Sequence, residues 1–248
     1  MEVLWADLPR LLRALLVLGL AAALLRLRSG RGALSPPLRR AWQLYTVYHA
    51  LLLGLQTLSL ETLWLLTFLD PGRTPLWNGI RSSFYDEMYL FFAVAGAALP
   101  ALVLLALARR SWLRTTSLVL LVLAGLATVY FLALGALGDW TTLLNAAGVL
   151  GFIRLAGYLA FWTGYLLGDT APVDRYTLGF QGALTLFFLL VPLQEALFAL
   201  LGRLEADTIW VVNQSLQVLL TAVQLAIVLR LEARVVRAER AGELVPAH

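Results

Sequence analysis

Apolar residues run along this chain in long blocks, and seven blocks reach the roughly 20 residues that an α-helix needs to cross a hydrocarbon core. They lie near 8–27, 42–69, 84–108, 112–137, 143–168, 176–202 and 208–231. The breaks carry turn or charge signals: Ser35-Pro36-Pro37, Asp70-Pro71-Gly72, Arg109-Arg110, Gly138-Asp139, the stretch from Asp169 to Asp174, and that from Arg203 to Asp207. The pattern predicts an all-α polytopic membrane protein, a seven-transmembrane-helix bundle over 1–231 with a short cytoplasmic tail at 232–248. The segment from Asp70 to Ser83, with Pro71, Gly72, Pro75, Trp77, Asn78 and Gly79, is expected to be an external loop, either a plain surface loop or a lid over an external mouth.

Composition sharpens the class. Hydrophobic residues make up 60% of the chain and charged residues 14%, against roughly 45–50% and 25% in soluble domains. Too few polar side chains remain to cover a soluble globule, whereas lipid tolerates an apolar exterior whose backbone is bonded internally. Cysteine is absent, which excludes thiolate metal sites and nucleophilic cysteine. All 19 basic residues are arginine, so lysine imine chemistry is excluded as well.

The net charge of +4 does not point to nucleic acid, because the arginines flank apolar blocks. Thirteen fall on one side of the seven spans and five on the other, and Arg154 lies within the fifth span. Positively charged loops stay in the cytoplasm, so the N-terminus is expected outside and the C-terminus inside a multi-pass protein of the cell membrane. Glu2 and Asp7 precede the first block and arginines follow it, the reverse of a secretory leader, so the first helix is expected to stay uncleaved. Arg13 interrupts that helix and is expected to snorkel to the interface. The order is compatible with a 3+1+3 arrangement, and Glu61-Thr62-Leu63-Trp64 in the second span matches Glu195-Ala196-Leu197-Phe198 in the sixth.

Arg154 is the sharpest chemical feature. An arginine at the bilayer centre costs about 2.5–3.5 kcal/mol on insertion scales, so it should face protein or water. Glu61 and Glu195 are the carboxylates deep within spans, and Glu195 is the preferred partner because sequential helices are usually neighbours. Such a pair either fixes helix packing or anchors an anion or substrate. The second span carries Tyr45, His49, Gln56 and Ser59 on one stripe at about 100° per residue. His49 is either a proton-transfer group or a buried neutral histidine donating one hydrogen bond. The seventh span carries Gln214, Gln217, Thr221 and Gln224 on one face, which either bonds to other helices or lines a wet cavity.

Ala156, Ala160, Gly164 and Gly168 recur every fourth residue and should let another helix or a second protomer approach closely, with Ala93, Ala97 and Ala101 as a complementary surface. Asp86 and Glu87 open the third span, where carboxylates complement the positive helix end. No metal-ligand cluster, phosphate loop or nucleophile elbow is present, and no cofactor is implied. Pro192-Leu193-Gln194-Glu195 resembles part of the Pro-x-Glu-Glu element of membrane-bound carotenoid cyclases, with one of the two carboxylates missing. That resemblance keeps an isoprenoid-modifying enzyme among the alternatives without assigning the chain to the family.

Three functions follow as expectations. The first is a protein with a polar intramembrane cavity that binds or transports a small solute or ion through Arg154, Glu195, Glu61, His49, Gln56, Gln214 and Gln217. The second is an embedded enzyme acting on a lipid or isoprenoid, with Glu61 or Glu195 as acid or base. The third is a non-catalytic subunit, receptor or assembly factor, joined as a homo- or hetero-oligomer through the small-residue face. The lipid bilayer is a partner in each case, and nucleic acid in none.

Overall fold

The computed structural model of the chain describes residues 2–29, 33–52, 62–83, 85–201 and 206–242. Their secondary structure is helical, apart from an isolated bridge between Ala108 and Thr170. The helices are α1 (Glu2–Ser29), α2 (Pro36–Leu52), α3 (Thr62–Leu69), α4 (Thr74–Ser83), α5 (Tyr85–Leu107), α6 (Ser111–Ala133), α7 (Trp140–Leu166), α8 (Arg175–Leu201) and α9 (Ala206–Ala241). Among the described residues, four segments are long and apolar enough to cross a membrane: Thr74–Leu107, α6, α7 and Val211–Ala241. On α6 the side chains of Leu118, Val119, Val122, Leu126 and Val129 are exposed, a surface that water penalises and hydrocarbon accepts.

One expectation is corrected. The stretch read as an external loop folds into a 3-10 turn at Pro71–Arg73 followed by α4. Pro75 is the second residue of α4, where a missing N–H removes no helical bond. Thr74 Oγ1 donates to the Thr67 carbonyl of α3 at 3.1 Å and ties the two helices together.

The chain divides into two compact units, Met1–Arg39 with Pro172–His248, and Arg40–Ala171. In the first, α9 packs on α1 and on α8. Buried Leu20, Leu24 and Leu27 of α1 repeat with helical spacing. Leu220 apart, the buried positions of α9 alternate in steps, through Gln214, Thr221, Gln224, Val228, Leu231 and Val235, with half-buried Gln217 filling the remaining place. Steps of three and four make a heptad seam, the geometry of near-parallel helix packing. Three contacts fix the direction: Arg13 with Gln217, Gly19 with Leu225 and Arg26 with Glu232. Both numbers rise together, so α1 and α9 run the same way. Gly179 against Ile227 and Tyr176 against Arg234 show that α8 runs opposite to α9.

In the second unit α5, α6 and α7 form an up-down-up layer. Buried Leu90, Ala93 and Ala97 of α5, Ala124 of α6 and Leu143, Ala146 and Leu150 of α7 make its core. Small residues on α5 face larger ones on α7, which brings the two axes close. Gly157 of α7 meets the ring of Pro100, and a Cβ there would lie 2.9 Å from Cγ. The turn before α7 needs Gly135 at φ 82° and Gly138 at φ 105°, after which Asp139 caps the helix by accepting from the backbone N–H of Thr142 at 3.1 Å. Tyr85 and Tyr89 gather around Trp140 at one end of the layer, with centroids 5.9 and 5.5 Å away. At the other end Asp169 accepts from Trp112 Nε1 at 2.8 Å and from Arg110 Nε at 3.2 Å. Indole and phenol rings at both ends of apolar helices are the usual membrane-interface pattern.

The small-residue stripe of α7 divides on inspection. Gly164 packs against Leu113 of α6, whereas Ala156 is exposed and Gly168 lies beyond the helix at φ 73°. The helix-packing face is set one position along, through Gly157, Phe161 and Gly164. Ala93, Ala97 and Ala101 are buried on α5, as a close-packing surface requires.

Candidate functional site

Arg154 is the fifteenth of the 27 residues of α7, so it sits about 20 Å from either end at 1.5 Å per residue. Its guanidinium lies over Gly96 of α5, where a Cβ would come within 2.7 Å of Nε and closer still to the rest of the group. Only glycine leaves that space. Nη2 donates to the carbonyls of Ala93 at 3.3 Å and Phe92 at 3.5 Å. Pro100 follows Gly96 by one turn and brings no N–H to the Gly96 carbonyl, so α5 is locally rich in acceptors where the guanidinium rests. Glycine and proline on α5 thus build a notch for the arginine of α7.

Phenol groups lie within electrostatic range of it. Tyr158, one turn further along α7, is 1% exposed and lies within electrostatic range of Arg154, Tyr45 and Tyr48. Tyr48 interacts with Arg154 as well. On α2, Tyr45 is fully buried and its carbonyl is 2.8 Å from Nδ1 of His49, itself 4% exposed. A carbonyl only accepts, so Nδ1 carries a proton and donates it to the carbonyl of its own helix. The ring of His49 meets Tyr48 edge-on, with centroids 5.3 Å apart.

The remaining candidates divide. Gln56 and Glu61 lie outside the described residues, as does the side chain of Glu195, whose backbone belongs to α8. The expected ion pair of Arg154 therefore falls outside them too. Gln214 and Gln217 belong to the other unit, on the seam of α9. Gln217 accepts from Arg13 of α1 through Oε1 and donates through Nε2 to Asn213 at 2.8 Å. Thr221 Oγ1 returns to the Gln217 carbonyl at 2.7 Å. Arg13, expected to snorkel, instead bonds across the helix pair. Among the described residues, Oε1 of buried Gln214 and Oδ2 of buried Asp174 have no hydrogen-bond partner. Asp174 caps α8 through its other oxygen, which accepts from the Thr177 N–H at 2.7 Å.

Sequence reasoning passed over Gly96, Pro100, Tyr48 and Tyr158. The signals were present: Gly96 and Pro100 are one turn apart in an apolar helix, and Tyr158 follows Arg154 by one turn on the same face. Among the described residues no three His, Asp or Glu side chains converge as metal ligands would. A guanidinium with phenol hydroxyls within electrostatic range offers hydrogen-bond donors, chemistry suited to an anion or a carbonyl oxygen. No family model, no curated protein and no solved structure matches the chain.

Proposed function

We propose that the protein crosses the cell membrane seven times, N-terminus outside, and binds and carries a small anionic solute at Arg154. The observation that carries this reading is the guanidinium seated at mid-helix in the Gly96 notch, its Nη2 donating to the Ala93 carbonyl. A cation is expensive at that depth, and intramembrane charges mark substrate pathways. The seven-span order is supported by helix direction. First and seventh spans must run alike, and α1 and α9 do. Third and fifth must run alike with the fourth reversed, which α5, α7 and α6 satisfy.

The test is uptake into proteoliposomes from a panel of small anions and neutral analogues, preceded by mass spectrometry of ligands retained on gentle purification. Wild-type protein should accumulate a member of the anion set. Arg154→Gln should abolish uptake while the protein still folds, and Arg154→Lys should retain part of it, because a point charge lacks the planar fork. Uptake by Arg154→Gln at the wild-type rate would refute the assignment.

A further inference from the structure

In the unit that does not hold Arg154, the N-terminal turn of α8 and residues 227–237 of α9 line a basic cleft. Two adjoining hollows of about 320 and 310 Å³ share Arg175, Tyr176 and Arg230 in their walls. Ile227 closes one end, and Arg234 and Arg237 line the other. Gly179 makes the closed end possible: a Cβ there would come within 3.3 Å of Ile227 Cδ1, so α8 and α9 pinch together. Toward the other end the Tyr176 ring meets two cations, with the guanidinium carbons of Arg175 and Arg234 at 5.0 and 5.7 Å from its centroid. Arg175 also donates to the Tyr176 hydroxyl at 3.1 Å.

The charges lie on one side of α9. Arg230, Arg234 and Arg237 follow steps of four and three, so they share a face about 10 Å long at 1.5 Å per residue. The carboxylates of α9 do not share it. Glu232 is two residues from both Arg230 and Arg234, roughly 200° around the helix, and pairs with Arg26 of α1 at 2.8 Å. Among the described residues neither Arg230 nor Arg237 is in an ion pair. The cleft also straddles the end of the apolar stretch of α9. Ile227 belongs to it, and Arg234 and Arg237 lie beyond it.

We propose that this cleft binds the phosphate-bearing headgroup of an anionic phospholipid. An amphiphile lying across the membrane boundary is apolar where Ile227 stands and anionic where the arginines stand. Guanidinium groups bind phosphate oxygens in pairs of parallel hydrogen bonds. The cleft lies within one unit, is separate from Arg154, and does not depend on which solute is carried.

The full chain, purified in detergent, is titrated with phosphatidylglycerol, with phosphatidylcholine of the same acyl chains, and with inorganic phosphate. Native mass spectrometry and the unfolding midpoint are read. Phosphatidylglycerol should stay bound and raise the midpoint, phosphatidylcholine should do neither, and inorganic phosphate should not displace the lipid. Arg230→Gln with Arg237→Gln should weaken phosphatidylglycerol binding by about fivefold per arginine removed. Arg240→Gln, on the same helix but outside the cleft, should leave it unchanged. Equal retention of the two lipids, or full affinity in the double variant, would overturn the proposal. Stabilisation by phosphate alone with displacement of lipid would assign the cleft to a free anion instead. If the double variant does not fold, a photoactivatable phosphatidylglycerol on the wild-type protein should label peptides containing Tyr176 or Ala233, and label confined elsewhere refutes the site.

Discussion

Gly96 and Gly157 both leave room for a neighbour closer than a Cβ allows, but their neighbours differ in stiffness. At Gly96 the intruder is the far end of an arginine, which can swing away; at Gly157 it is a proline ring held by a helix backbone. Gly96→Ala should therefore leave the unfolding midpoint near wild type, since alanine also favours the helix, while displacing the guanidinium and reducing solute binding as Arg154→Gln does. Gly157→Ala should cost about 1–3 kcal/mol through overpacking and leave binding proportionate to the folded fraction. Thermal unfolding in detergent beside a binding assay separates the two. Equal stability losses at both positions would mean that the Arg154 side chain is not free to yield.

At the scale of single elements, the heptad seam of α9 explains what a polar stripe means in a membrane. Its amides occupy the same positions as Val228, Leu231 and Val235 further along, so polar and apolar halves serve one interface. Arg13 with Gln217 is the test. Gln217→Leu should destabilise strongly because it strips the acceptor from a half-buried cation, Arg13→Leu should cost less, and the double change should approach wild type. A double-mutant cycle on unfolding in bicelles reads the coupling, and strict additivity would deny it. The start of α7 gives a pH prediction. Hydrogen bonds from the Thr142 hydroxyl, then from the backbone N–H groups of Thr142 and Thr141, hold the Asp139 carboxyl below the usual carboxylate range. A depressed value means that the cap stabilises the helix start above the ordinary aspartate pKa and that this is lost as pH falls through the folded value. A carboxyl-carbon NMR titration should place Asp139 below exposed aspartates, with Thr141 and Thr142 amide protection lost at the same midpoint. A midpoint in the ordinary range would contradict the cap.

Across the whole molecule, the absence of cysteine makes topology directly measurable. Leu137→Cys, exposed between α6 and α7, should react with an impermeant maleimide in intact cells, and exposed Ser111→Cys at the start of α6 should not. The opposite pattern would invert the orientation. The helical class and most breaks were legible because apolar block length is a direct consequence of bilayer thickness. Arg154 stood out for the same reason, as a cost against that background. The notch that receives it was not legible, because Gly96 meets Arg154 only through helix pairing and no local period encodes which helices pair. Which small residue of α7 meets α5 was not legible on similar grounds: Ala156 and Gly157 are both small, and only Pro100 of α5 distinguishes them. Helix α4 was hidden by prolines and glycines that read as a turn when their position within the first turn is unknown.

The bond between Arg13 and Gln217 joins residues 204 positions apart in the chain. During synthesis α1 emerges first, and at about 5–20 residues per second its partner follows roughly 10–40 s later. Throughout that interval the first helix holds an arginine without its amide, and on the proposed seven-span order its insertion is provisional. Biogenesis of this protein is therefore completed from the C-terminal end: chains truncated before α9 should be extracted and degraded in a pulse-chase experiment, and supplying α9 as a separate fragment should restore their lifetime.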